Sequence, residues 1–279
     1  MSEVKKYDPF FSVVREPLFT EFNGKRIKSN REALINPNLN SIVGEVSKNY
    51  KVVENKEVAN VFDEAFADVK DKEVKDHLNA TTGKWAREII LNDPEYGFVV
   101  NGDDECKIKV TVFNGYTGQK SVGFYVSAYR LVCKNGLMGW KSLLSVSIPH
   151  IKEGIIDFIR DEFHEKINVL RNKIEIFEDW SDEEFSQEDF NLFIDTREKM
   201  TDKMKETLKG YYVPIMNKFG EAKTKWGAYN VLTAIGTHYT EARKGSNLFS
   251  NGYKRIEKLV DEFMDFDPSE HKEMVSVSE

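Results

Sequence analysis

Asp93 and the run Glu105-Cys106-Lys107 superficially match the Asp…Glu-x-Lys pattern of metal-dependent nucleases. In that chemistry the carboxylates hold Mg²⁺ and the lysine positions the attacking water. Chain geometry argues against it here. If residues 101 to 104 form a turn, Glu105 lies opposite about Val100, and Asp93 sits about seven residues further along the strand, roughly 20 Å away at about 3.3 Å per residue. One metal ion does not bridge that gap. His164-Glu165 is not the zinc motif, because the residue four past His164 is Asn168. His150 and His238 have no ligand partners at motif spacing, and structural roles are their default. The sequence holds no Gly-rich phosphate loop, no nucleophile elbow and no Cys-x-x-Cys pair. Kinase, NTPase, α/β-hydrolase and zinc-finger chemistry are therefore disfavoured, and the residues point to a protein that is not an enzyme and takes no cofactor or metal.

Binding chemistry is better represented. Lys107-Ile108-Lys109-Val110-Thr111-Val112 alternates with period two, so that if Ile108, Val110 and Val112 face a core, Lys107, Lys109 and Thr111 face out. On the strand that follows, Val122, Phe124, Val126 and Ala128 share one face and Tyr125, Ser127 and Tyr129 the other. Lysines beside tyrosines on one sheet face suit single-stranded nucleic acid, since rings stack on bases of any sequence and ammonium groups follow phosphates. The blander alternative is that the tyrosines pack under a helix and the lysines are solvated. Arg130 and Lys134, at the end of this strand, and a separate cluster of Lys25, Arg26, Lys28 and Arg31 supply further cations. Taken alone, that cluster reads as a scattered solvated surface. Arg130 sits amid apolar neighbours, and a buried guanidinium needs a partner, for which a structural carboxylate suffices. In Trp226-Gly227-Ala228-Tyr229-Asn230 the small residues permit close approach of another element, and core packing is the favoured reading.

These residues must be positioned by an antiparallel meander within Glu95–His150. Asn101-Gly102 and Asn114-Gly115 flank its first strand, and Asn-Gly is the strongest local hairpin signal because a type I′ turn needs two residues that tolerate positive φ. Ser121 to Cys133 makes the next strand and Leu143 to Ile148 a further one. Before the meander, residues 10–14, 18–22, 42–46 and 50–53 read as short strands, with Asn23-Gly24 a turn and 42–46 paired with 50–53. A helix follows with Asn55 as N-cap and Val58, Val61, Phe62, Ala65, Phe66 and Val69 on one face. Ala86 to Leu91 is another strand. After residue 150 the period changes to helical: Ile156 to Phe177, Ser186 to Lys209 closed by Gly210, about 221 to 242, and about 250 to 264. Pro214 is expected to start a new segment.

Strands first and helices afterwards predict an α+β fold, an antiparallel meander followed by and packed against a long-helix C-terminal region. The expected boundaries are 1–150 for the β-rich part, 151–265 for the helices and 266–279 for an acidic, disordered tail. A chain of 279 residues with 40% hydrophobic and 31% charged residues is ordinary for a globular protein. Two cysteines, Cys106 and Cys133, exclude a disulfide scaffold and a four-cysteine metal site. No apolar run is long enough to span a membrane and the first residues carry no signal-peptide core, which predicts a cytoplasmic protein. A net charge of −7 excludes wholesale polyanion binding but not a local basic surface.

Three stretches resemble the phage/plasmid-like protein family, built on a domain of unknown function common on phages, plasmids and genomic islands. They are Val43-Gly44-Glu45-Val46-Ser47-Lys48-Asn49-Tyr50-Lys51-Val52-Val53-Glu54-Asn55, then Asn114-Gly115-Tyr116-Thr117-Gly118 leading to Tyr129-Arg130-Leu131-Val132-Cys133-Lys134-Asn135-Gly136-Leu137, and Thr224 to Asn230. Together they cover roughly residues 40 to 255. The family pattern has His-Thr after the fourth strand, whereas here His150 is followed by Ile151. The resemblance implies a mobile-element origin, the host cytoplasm if phage-encoded, and DNA metabolism. With the residues above it yields an expectation of single-stranded DNA binding that assists annealing or recombination, through Lys107, Lys109, Tyr125, Tyr129, Arg130 and Lys134. A homo-oligomer is compatible with the long helix and exposed strand edges. The alternative is a non-enzymatic protein-binding module for host takeover or anti-defence that acts through an acidic surface, the acidic tail being one place for a protein partner.

Overall fold

A computed structural model describes residues 8–79, 81–102, 104–119, 121–131, 144–239 and 251–270, the side chains of 172, 173, 251 and 253 excepted. Antiparallel sheets fill the N-terminal half and helices the C-terminal region, an α+β arrangement. The strands are β1 (Val14–Phe22), β2 (Lys25–Asn36), β3 (Ser41–Ser47), β4 (Lys72–Asn79), β5 (Lys84–Leu91), β6 (Gly97–Val100), β7 (Asp104–Asn114), β8 (Val122–Arg130) and β9 (Ser145–Ile148). The helices are α1 (Asn55–Ala65), α2 (Ile155–Lys173), α3 (Glu175–Asp182), α4 (Gln187–Asp195), α5 (Asp202–Phe219), α6 (Lys225–Ala234) and α7 (Asn251–Met264). Two compact units divide the chain. The first comprises Met1–Asp93, Lys109–Val126 and Leu144–Asn168, and the second Pro94–Ile108, Ser127–Leu143 and Val169–Glu279. Among the described residues no helix is long and apolar enough to cross a membrane.

In the first unit β1-β2-β3 form one antiparallel sheet, and β4 and β5 pair in register with the second half of β7, β8 and β9 in a second. The apolar stripe of α1 closes the second sheet: Phe62 meets Phe124 of β8 and Phe163 of α2 edge-on at 5.4 and 5.3 Å between ring centres, and Phe66 meets Phe163 at 5.0 Å. Edge-to-face pairs of this kind add about 0.5–1.5 kcal/mol each beyond burial. A second cluster holds Phe11, Leu34, Val43, Val46, Tyr50 and Tyr116. Around it runs a buried hydrogen-bond network. The Asn114 amide donates to Val53 O and Asn55 Oδ1, Asn55 N–H donates to the Tyr116 hydroxyl, and Tyr50 O–H donates to Gly115 O. Residues 50–53 are therefore not the strand expected for them. Tyr50 and Val53 are tied into this network and Lys51 N–H donates to His150 O, while β3 pairs instead with β2. Asn55 is likewise not the N-cap. Its side chain is spent on Pro9 O and Asn114, and Glu54 caps α1 in a reciprocal box with Glu57.

His150 belongs to this cluster. It is 3% exposed, its ring stacks on Tyr50 at 4.6 Å, and Nδ1 lies 3.0 Å from Lys51 O. Burial pushes the imidazole below its ordinary value of 6.5, outweighing the opposite effect of the Lys51 carbonyl. The fold thus holds His150 neutral while the unfolded chain binds a proton as the pH drops, so stability falls below about pH 6.5 by up to about 1.4 kcal/mol per pH unit. Thermal melts taken across that pH should show this slope, and His150→Asn should remove it.

In the second unit β6 pairs with the first half of β7, Gly97 facing Lys107 and Val100 facing Asp104, across a turn in which Asn101 and Gly102 both have positive φ. The helices enclose an aromatic core in which Phe177 contacts Trp180, Trp226 and Tyr229, and Phe263 contacts Trp180, Phe185 and Phe193, at 5.0–5.9 Å. Every residue of α6 is buried, and Asn230 donates to Trp226 O, so the packing reading of Trp226–Asn230 holds. Gly210 and Pro214 do not delimit helices. Both lie inside α5, where burial of Leu208, Tyr212, Ile215 and Met216 outweighs the ladder bond lost at exposed Pro214. The segment expected as one helix from Ser186 to Lys209 breaks at Thr196 and restarts from Thr201, whose hydroxyl accepts from Met204 N–H.

Candidate nucleic-acid interface

The inward face of β7 is as expected, with Ile108, Val110 and Val112 at most 2% exposed. The opposite face is not open, which corrects the expectation that Lys109 and Thr111 face solvent: they are 5% and 2% exposed. In the first unit the Lys109 ammonium pairs with Glu88 of β5, and the other Glu88 oxygen lies 2.5 Å from His77 Nε2 of β4. Burial alone would push Glu88 up, yet the bonds from His77 and Lys109 hold its carboxyl at about 2. Lys109 is thus committed to a permanently ionised partner. Tyr125 of β8 is half-buried.

In the second unit Lys107 and Tyr129 are half-buried, and Leu131 N–H donates to Glu105 O, which brings the end of β8 beside the start of β7. Arg130 is 9% exposed. Its Nε lies 2.7 and 2.6 Å from the two Asp104 oxygens, Nη1 bonds Glu221, and Trp226 Nε1 donates to Asp104 Oδ2 at 2.8 Å. Burial works against the guanidinium charge, but the two carboxylates outweigh it and raise the Arg130 pKa. Glu221 is pushed up by burial, with Arg130 opposing. The structural-carboxylate explanation for Arg130 is the one found. The cluster borders a cavity of about 290 Å³ that Asn101, Ser181 and Thr224 also line. Lys134 and Cys133 lie outside the described residues, while Cys106 is buried. Among the described residues no group of acids, histidines or cysteines is placed to hold a metal ion.

The cations read as scattered, Lys25, Arg26, Lys28 and Arg31, are instead organised. β1 and β2 form a two-stranded ribbon along which all residues from Val14 to Asn30 are exposed except Leu18 and Ser29, because β3 pairs only with Arg31–Asn36. Asn23 and Gly24, at φ 50° and 70°, turn its tip. The register sets Phe19 opposite Lys28, Thr20 opposite Ile27, Glu21 opposite Arg26 and Phe22 opposite Lys25. Alternation then puts Phe19, Glu21, Arg26 and Lys28 on one face and Thr20, Phe22, Lys25 and Ile27 on the other. The Arg26 guanidinium lies 3.8 Å from the Phe19 ring centre, and Phe22 is 65% exposed. From Phe19 to Lys28 three cations stand against one carboxylate in a protein of net charge −7. Arg31 is held lower down by the Glu45 carbonyl, and Arg15 by Glu32. The sequence signal for the ribbon was the Asn23-Gly24 turn with rings at Phe19 and Phe22 before it and cations at Lys25, Arg26 and Lys28 after it.

A family model described as Domain of unknown function (DUF932) matches residues 42–260, more than half the chain; the ribbon precedes the matched region. No curated protein and no solved structure matches the chain.

Proposed function

The chain belongs to the DUF932 family, and from that premise we propose that it binds single-stranded DNA through the β1–β2 ribbon and assists annealing or recombination without hydrolysing a nucleotide. The observation that carries the reading is the ribbon tip. An open phenylalanine ring at Phe22, and Lys25 and Lys28 without an ion-pair partner among the described residues, are held at the tip of an antiparallel strand pair. Base–ring stacking and phosphate neutralisation are the two sequence-independent components of single-strand binding, and the tip offers both within a few residues. Half-buried Tyr129 and Lys107 offer a second, smaller surface of the same chemistry. The protein-binding alternative concerns a tail expected over 266–279; its first residue, Phe266, is buried against Phe185 and Phe193, and the tail beyond 270 lies outside the described residues.

Fluorescence anisotropy with a labelled single-stranded oligonucleotide at several salt concentrations tests the reading. Phe22→Ala should weaken binding by about 1–3 kcal/mol, the worth of one stacked ring, and Phe22→Tyr should restore it. Lys25→Ala with Lys28→Ala should flatten the log–log salt slope by about 1.4, at about 0.7 per single-strand phosphate contact. Loss on Tyr129→Ala or Tyr125→Ala with Phe22→Ala silent would move the interface to the sheet. No binding at low salt would overturn the proposal.

A further inference from the structure

The second unit contains a cleft that neither the family match nor the ribbon accounts for. Its volume is about 580 Å³, and it lies between the α4–α5 connector and α7. That is within the roughly 300–1,000 Å³ typical of small-molecule sites. Four cations line it, Arg197, Lys199, Arg255 and Lys258, against two carboxylates, Glu198 and Glu262. Glu262 is already engaged, with Arg197 at 2.9 Å and Lys258 at 3.5 Å. The guanidinium of Arg197 is further fixed against the Phe193 ring at 4.6 Å and by the Thr196 hydroxyl at 2.9 Å, so it is a positioned rather than a wandering charge. Lys199 and Arg255 are exposed at the rim and have no carboxylate partner among the described residues. Met200, Met204 and Leu259 supply an apolar wall, and methionine adapts to flat, polarisable groups.

We propose that this cleft binds a phosphorylated small molecule with a flat apolar body, the chemistry of a nucleotide. Lys199 and Arg255 take the phosphate, Arg197 holds the charged side of the cleft in place, and the methionines and Leu259 take the ring. A volume of about 580 Å³ suits a small ligand rather than a polymer, which needs an extended track of cations. The charge balance also selects against cations: with Glu262 neutralised, the lining carries an excess of positive charge that an anion must complete.

Isothermal titration of the full chain with ADP, with inorganic phosphate and with adenosine separates the two halves of the site. ADP should bind most tightly, phosphate more weakly, and adenosine weakest. Lys199→Glu with Arg255→Glu, both exposed and expected to leave the fold unchanged, should weaken ADP and phosphate by roughly tenfold or more, as loss of a charge-assisted bond does. Met204→Ala should weaken ADP and leave phosphate unchanged. Phe22→Ala in the ribbon should leave ADP binding untouched, which keeps this result separate from that for single-stranded DNA. Absence of ADP binding at millimolar concentration, or binding indifferent to the double charge reversal, would overturn the proposal. So would displacement of ADP by an oligonucleotide with the affinity of the ribbon.

Discussion

Arg130→Ala should destabilise the second unit by about 3–5 kcal/mol, the cost of leaving buried charge without its partner. The guanidinium serves two carboxylates at once, and their side chains are only 8% and 3% exposed for Asp104 and Glu221. After its removal Asp104 keeps the indole N–H of Trp226, while Glu221 loses the group that opposes its burial. Glu221, already pushed above the usual carboxylate range, should then take up a proton in the fold more readily than in the unfolded chain. A folded-state pKa above the unfolded one means that stability is gained as the pH falls. The deficit of Arg130→Ala should therefore be largest at neutral pH and shrink in mild acid, opposite in sign to the His150 effect in the first unit. Urea denaturation followed by tryptophan fluorescence reads the Arg130 deficit and its pH dependence, since Trp226 lies against the cluster. A loss below about 1 kcal/mol, the worth of a solvated pair, would show that the cavity is open to water and that Arg130 is available to a ligand. Arg130→Met with Asp104→Leu and Glu221→Leu should recover much of the loss, because an apolar replacement of the whole cluster avoids the desolvation cost.

Local chemistry made much of this fold readable. Asn101-Gly102 adopts the positive φ that its type I′ reading requires, Asn23-Gly24, read as a turn, does the same, and the period-two run at Lys107–Val112 is a strand. Asn114-Gly115 carries the same dipeptide and is no turn, because the Asn114 side chain is drawn into the network around Tyr116 and its backbone stays in β7. β4 escaped notice for a different reason. Lys72-Glu73-Val74-Lys75-Asp76-His77-Leu78-Asn79 has almost no apolar alternation, since it is the end strand of its sheet order and, among the described residues, pairs only with β5, largely through polar side chains. Asp76 there takes the Arg87 guanidinium and the Trp85 indole N–H. The same blindness affected the candidate site. A period of two says which residues share a face but not whether that face is covered, so Lys109 looked solvent-bound although Glu88 and His77 were waiting on the neighbouring strands. The ribbon was the converse case. Lys25, Arg26 and Lys28 were visible as a cluster, but only the register that places them opposite Phe22, Glu21 and Phe19 turns a list of cations into a surface.

Gly44→Ala should cost the first unit about 3 kcal/mol, the upper end of overpacking in a closed core. Gly44 has an ordinary negative φ, so no left-handed strain is relieved by its glycine. The requirement is space: a Cβ there would overlap the backbone carbonyl of Tyr116. That carbonyl has nowhere to go. Tyr116 is anchored by the Asn55 N–H on its hydroxyl at 3.0 Å and by Phe11 edge-on at 5.6 Å, and the preceding Gly115 carbonyl receives the Tyr50 hydroxyl at 2.8 Å. Any retreat must break one of these bonds or open the cluster of Leu34, Val43 and Val46. Gly102→Ala is the informative control. Its φ of +78° is one that side chains rarely adopt, but nothing lies within 4 Å of the added methyl, so only backbone strain of about 1 kcal/mol applies. Thermal melts of the two variants should rank Gly44→Ala as the more damaging, the reverse of a ranking by backbone angle. A Gly44→Ala protein that melts with the parent would mean that Tyr116 is free to shift, and the network joining Tyr50, Asn55 and Asn114 would then not be the rigid centre of the first unit.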